Sequence, residues 1–306
     1  MTIDDDRSRT DPSGPSDGAD PQPAADFSPY NDSTRSGFEP ALPEGFPAPS
    51  RRALPDDLRV PWDWIDILLL VIVAFCGIFL IGLLLFSGLR FAGISAFHSR
   101  RSPDFTDALA LVAQVVLDLG LLVYLAAQIH LRFRAPFWRT IGWRPLGLHS
   151  RSRGFAYPAL VLSGFSLAVI VAFAEGLFPP KHPLPIQTMT ANPRVALIFL
   201  LTAVLVAPVV EETIFRGYLY PVAARSFGIG PGILLTGTLF GLLHASQLWG
   251  GWWQIALLVV VGIIFTAVRA ATRTVVASYI LHASYNALPV LATLLSALRF
   301  RHMPLN

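Results

Sequence analysis

From position 64 onward the chain is a succession of apolar runs separated by short polar stretches, whereas the first sixty positions show neither a helical nor a strand period. Seven runs stand out, at 64–86, 107–131, 155–178, 195–220, 232–248, 254–268 and 274–298. A hydrocarbon core about 30 Å thick is crossed by about 20 apolar residues in a helix, so runs of this kind predict transmembrane helices. The expectation is an all-α polytopic membrane protein with about seven transmembrane helices over 61–306, opened by the interfacial residues Trp62 and Trp64. Residues 1–60 are rich in Pro, Ser, Asp and Gly and poor in aliphatics, which predicts a disordered acidic tail. The tail lacks the basic start and apolar centre of a cleavable signal peptide.

Polar residues interrupt this pattern in the second, fourth, fifth and seventh runs, and Glu175 stands near the end of the third. The fourth run contains the stretch VAPVVEETIFRGYLY at 206–220, with Glu211, Glu212 and Arg216. Charges at that depth cost several kcal/mol unless they face a protein interior or a water-filled cavity. Adjacent helical positions point about 100° apart, so the two glutamates take different directions. Glu212 and Arg216 are four apart and can pair, which leaves Glu211 free to point elsewhere. The fifth run places Phe240 four before His244, and the seventh places His282 four before Asn286, each pair on one helical face. The second run holds Gln114 and Asp118, expected to pair with other helices. From the helical rise, Glu211, His244 and His282 all fall about 12–18 Å inside one membrane face. Three polar faces at one depth predict one shared, water-accessible chamber.

Composition agrees with the pattern. The 306 residues are 53% hydrophobic and only 14% charged, against about a quarter charged in soluble domains. The formal charge of +3 is unevenly spread: residues 1–61 hold 12 of the 20 Asp and Glu but only six of the 23 Lys and Arg. Any carboxylate in the apolar body is therefore conspicuous. Arginines crowd the loop between the second and third runs, at Arg132, Arg134, Arg139, Arg144, Arg151 and Arg153, and recur at Arg269 and Arg273 between the last two. The bias of Arg toward cytoplasmic loops puts these loops and the N-terminal tail in the cytoplasm, although Arg90, Arg100 and Arg101 then lie outside. The arginine-rich, almost lysine-free composition suggests a bacterial plasma membrane, with the lipid bilayer and no nucleic acid as partner. The lone Cys76 lies mid-run, so an intramolecular disulfide and a cysteine-rich zinc site are both excluded.

A carboxylate and an imidazole on facing helices can polarise a water and take its proton. A second histidine with an asparagine four residues on offers donors to a developing oxyanion, as amide hydrolysis requires. Two histidines and a glutamate also match the ligands of some catalytic zinc sites. The sequence has no GxSG, GxGD or HExxH, which argues against a serine, aspartyl or site-2-type intramembrane protease.

Glu211-Glu212-x-x-x-Arg216, Phe240-x-x-x-His244 and His282-x-x-x-Asn286, in this order on three late runs, resemble the CPBP family, also called Abi. That family comprises CAAX prenyl proteases and bacteriocin-processing proteins, and the resemblance covers 195–298, the expected catalytic core. It implies an intramembrane endopeptidase acting on a membrane-tethered peptide or protein, by CAAX-type prenyl-protein or leader-peptide processing. Glu211 and His244 would activate the water and His282 and Asn286 would hold the oxyanion, with Glu212, Arg216 and Phe240 in support. The family has been described both as metalloendopeptidases and as glutamate-dependent enzymes. No required cofactor is the favoured expectation; zinc on Glu211, His244 and His282 is the alternative. Two other readings remain, a non-catalytic immunity or scaffold protein of the same fold and a proton-coupled transporter using the same carboxylates. The transporter reading predicts internal repeats, and none is visible.

Overall fold

The computed structural model describes residues 55–91, 103–147, 150–189 and 193–301; the expected tail at 1–54 lies outside them. Every regular element among these residues is helical. The long helices are α1 (Trp64–Phe91), α2 (Pro103–Phe133), α4 (Ser150–Leu177), α10 (Trp252–Thr272) and α11 (Val275–Arg301). Short helices α3 (Phe137–Thr140) and α5 (Pro185–Met189) lie in the connections. Between α5 and α10 the chain forms α6 (Pro193–Leu205), α7 (Ala207–Glu212), a π-helical turn (Thr213–Leu219), α8 (Tyr220–Phe227) and α9 (Ile229–Leu243).

By length and composition, six helical stretches among the described residues can cross a membrane, with α6 to α8 acting as one stretch, Ala196–Phe227. This chain is an integral membrane protein. The expected fifth span is shorter than its apolar run: α9 has 15 residues, about 22 Å at the helical rise, and falls short of a 30 Å core. The chain leaves the helix at His244 and turns over 244–250. Here the His244 N–H bonds the Gly241 carbonyl, and its ring Nδ1 takes the Phe240 carbonyl instead.

The expected fourth span is likewise broken. Pro208 has no N–H for the carbonyl four residues back, which separates α6 from α7 at Val206. The wide π turn begins directly after Glu212 and ends before Pro221. Such turns inside helices are frequent at functional sites.

The core is built around this irregular stretch. Phe215, Leu219, Phe240, Val261, Phe265 and Leu281 form one buried cluster. A second joins Trp62, Leu125, Ile129, Ile141, Tyr218 and Val222. Helices α9 and α10 meet backbone to backbone, since a Cβ on Gly237 would lie 2.5 Å from the Ile263 nitrogen and one on Gly262 2.5 Å from the Gly237 oxygen. Small residues allow this approach where lipid gives no hydrophobic drive between helices. By contrast α1 turns Phe75 and Phe79 outward.

The segment just before α1 is packed, which corrects the expected end of the tail. Leu58 and Val60 are buried, Trp62 stacks on Tyr218 at 4.8 Å, and Arg225 donates to the carbonyls of Val60 and Trp62. The folded body therefore begins by Pro55 rather than at 61. Asp66, also buried, accepts hydrogen bonds from Gln128 and Arg132 on α2.

Candidate active site

Three helical stretches bring the expected residues together. Glu211, at the end of α7, places Oε1 3.7 Å from His244 Nε2 and Oε2 3.7 Å from His282 Nε2. Glu212 turns the other way and pairs with Arg216 at 2.9 Å, as the four-residue spacing requires. The same Oε1 of Glu212 lies 2.9 Å from His282 Nδ1, so one imidazole bridges the two glutamates. No sequence spacing indicates that bridge, because His282 is 70 positions from Glu212.

The hydrogen-bond partners decide how the rings present themselves. The Phe240 carbonyl can only accept, so His244 donates from Nδ1 over 3.0 Å and turns Nε2 to Glu211. Glu212, already paired with a guanidinium, likewise takes the Nδ1 proton of His282. Both Nε2 atoms thus converge on the Glu211 carboxylate. Outer-lying partners of this kind set a histidine's tautomer and ring orientation.

Arg216 is held on every side. Its Nη1 donates to Glu212, its Nη2 to the Gly262 carbonyl at 2.9 Å, and its Nε to Thr266 Oγ1 at 3.2 Å. The Phe240 ring lies 4.3 Å below the guanidinium and 5.6 Å from the His282 ring, so Phe240 is the apolar floor of the polar cluster. Thr266 and Gly262 belong to α10, whose sequence carries none of the three motifs. A threonine in an apolar run was the available signal, and it is a weak one.

Exposure separates the groups. Glu211 and His244 keep 20% of their side-chain surface, while Glu212 and Arg216 keep none. The outer pair can therefore meet water and a substrate, and the inner pair cannot. Asn286 stands one turn beyond His282 and donates one amide hydrogen to the Ala203 carbonyl on α6 at 2.8 Å. Among the described residues its amide nitrogen has no second hydrogen-bond partner. Asp118 pairs with Gln114 on its own helix at 2.8 Å rather than with a neighbour, and lies within electrostatic reach of Glu211 and His244. Trp143, from the loop after α3, donates to Thr213 Oγ1 at 3.0 Å, directly behind Glu212.

The metal alternative requires Glu211, His244 and His282 to act as ligands. Among the described residues no group of three or more His, Cys, Asp and Glu side chains is arranged to hold a metal ion.

Residues 193–288, which contain all three motifs, match the model of a family described as Type II CAAX prenyl endopeptidase Rce1-like. The match covers less than half of the chain and shows a similarity to that family. The family is one of intramembrane endopeptidases, and the matched segment runs from α6 into α11. Helices α1, α2 and α4 lie outside the match. No curated protein and no solved structure matches the chain.

Proposed function

We propose that this protein hydrolyses a peptide bond of a membrane-associated substrate, with Glu211 and His244 activating the water and His282 and Asn286 holding the oxyanion. The observation that carries this reading is the convergence of Glu211 with both Nε2 atoms at the exposed edge of an otherwise buried cluster. A water lodged there would give its proton to Glu211 as its oxygen attacks the scissile carbonyl carbon. The tetrahedral oxyanion would accept hydrogen bonds from His282 Nε2–H and the second Asn286 amide hydrogen. Collapse would break the C–N bond, and the proton held by Glu211 or His244 would pass to the leaving amine. Each oxyanion donor of this type is worth about 2.7–4 kcal/mol in the transition state.

Two carboxylates and one guanidinium leave the cluster at −1, and one proton on the imidazoles brings it to zero, the state that costs least in a low-dielectric interior. The oxyanion role requires an Nε2–H on His282, whose Nδ1 faces Glu212. Glu212 and Arg216 act by holding that ring.

The reaction as written needs no metal. If zinc takes part, Glu211, His244 and His282 would hold it, and it would supply Lewis-acid activation of the water. The substrate class is a prenylated C-terminus, a leader peptide or another membrane-tethered protein. The setting is a bacterial plasma membrane with the arginine-rich loops toward the cytoplasm.

The test is cleavage of membrane-tethered and prenylated peptides by the purified protein in detergent, for wild type, Glu211→Ala and His244→Ala, with and without chelator. Cleavage abolished in both variants and indifferent to chelation is the expected result. Loss on chelation restored by zinc would overturn the metal-free mechanism. Equal cleavage by all three proteins would overturn the site.

A further inference from the structure

A second polar centre lies at the arginine-rich end of the bundle, away from the chemistry above. Three separate stretches surround a hollow of about 310 Å³: the 3₁₀ turn Asp56–Leu58 and the residues after it, the loop around α3, and the turn from α10 to α11. Its wall carries Arg59, Arg139, Arg144, Arg269 and Arg273. Asp56 and Asp57 oppose them, which leaves three guanidinium charges uncompensated. Asp57 is engaged by Arg269 at 2.8 Å and Asp56 by Arg59 at 3.6 Å. Arg139, Arg144 and Arg273 have no carboxylate partner among the described residues.

Arg269 adds the second observation. It is almost wholly buried, lines the hollow, and its Nε has no hydrogen-bond partner among the described residues. Gly142, at φ +96°, makes room for it: a Cβ there would come within 3.3 Å of Arg269 Nη2. A buried guanidinium donor left unbonded is costly, and like charges gathered in one hollow repel. A multivalent anion relieves both. Sequence position alone explains why arginines lie at this end of the helices, but not why three distant stretches turn them into one cavity.

We propose that this hollow binds a phosphate group, presented either by an anionic lipid headgroup or by a small soluble phosphate. Arginine forks match phosphate oxygens in pairs, and basic hollows between helices at the membrane surface suit lipid headgroups. Bound there, the anion clamps the α3 loop to the α10–α11 turn, where Val275 N–H already donates to the Gly142 carbonyl at 2.9 Å.

The experiment uses the full chain in an uncharged detergent at low salt, titrated in turn with sodium phosphate, dioctanoyl phosphatidylglycerol and sodium chloride at matched ionic strength. Thermal unfolding reads binding. Saturable stabilisation by phosphate, by the lipid or by both, absent with chloride, is the expected result. Saturation by one alone identifies the source. The exposed Arg139→Gln change, alone and combined with Arg273→Asn, should raise the apparent Kd at least tenfold; asparagine tolerates the left-handed backbone of Arg273, φ 57°. No saturable response of the wild type to either ligand overturns the proposal. So does an unchanged Kd in both folded variants.

Discussion

Two arginine–carboxylate pairs have nearly the same length and do different work. Arg216–Glu212 spans 2.9 Å with both side chains fully buried, and every nitrogen of the guanidinium is engaged. Arg269–Asp57 spans 2.8 Å at the end of the bundle, yet Arg269 Nε and Asp57 Oδ1 are without partners among the described residues. The first pair is closed by its own helix and by α10, and it delivers a carboxylate to His282. The second joins residues 212 apart, latches the segment before α1 onto α10, and leaves donors facing a hollow. Pair distance alone therefore says little. Each pair leaves one buried carboxylate oxygen without a partner among the described residues, Glu212 Oε2 and Asp57 Oδ1; the difference lies in the guanidinium, fully engaged at Arg216 and open at Nε in Arg269.

This contrast can be broken from either side. The largest effect is expected at the group that the first pair serves. Glu211→Gln should lower peptide cleavage by about 10²–10⁴-fold, the range of a general base, with unchanged thermal unfolding. Loss of the fold together with activity would instead make Glu211 structural.

Next in size, Arg216→Met strands the Glu212 carboxylate and should cost about 3–5 kcal/mol in denaturant unfolding, the usual loss when one partner of a buried pair is removed. Arg269→Met should cost less, about 1–3 kcal/mol, because Asp57 keeps some contact with solvent. Limited proteolysis should then cut near residues 55–62 in that variant and not in Arg216→Met. Similar losses in both variants would show that the two pairs contribute alike to folding. At the low end, Arg59→Ala should change stability by less than about 0.5 kcal/mol, since it and Asp56 form an exposed pair. A larger loss would show that the hollow already contributes to folding without a ligand.

Much of the site was legible in the sequence because its logic is local. Four-residue spacing placed Arg216 against Glu212 and set Phe240 below His244, and a count along each apolar run put Glu211, His244 and His282 at one depth. Other features were not legible. Span five read as a helix through residue 248, but its regular part stops at Leu243 because the His244 ring takes the carbonyl that the next backbone N–H would have used. The tail read as disordered to residue 60, since Leu58 and Val60 are too few to show a period; they find their burial only against α8 and neighbouring helices. Asp118 and Gln114 were expected to reach across helices and instead satisfy each other.

Sequence by itself determined that this is a helical membrane protein, that the polar residues of its late spans fall into three motifs, and which family those motifs resemble. These follow from periodicity and from the cost of charge in hydrocarbon, both properties of a single helix. Tertiary structure alone decided that one imidazole bridges two glutamates, that Thr266 and Gly262 complete the shell of Arg216, and that five arginines share one hollow. Those contacts join residues tens to hundreds of positions apart, so they exist only once the helices have packed.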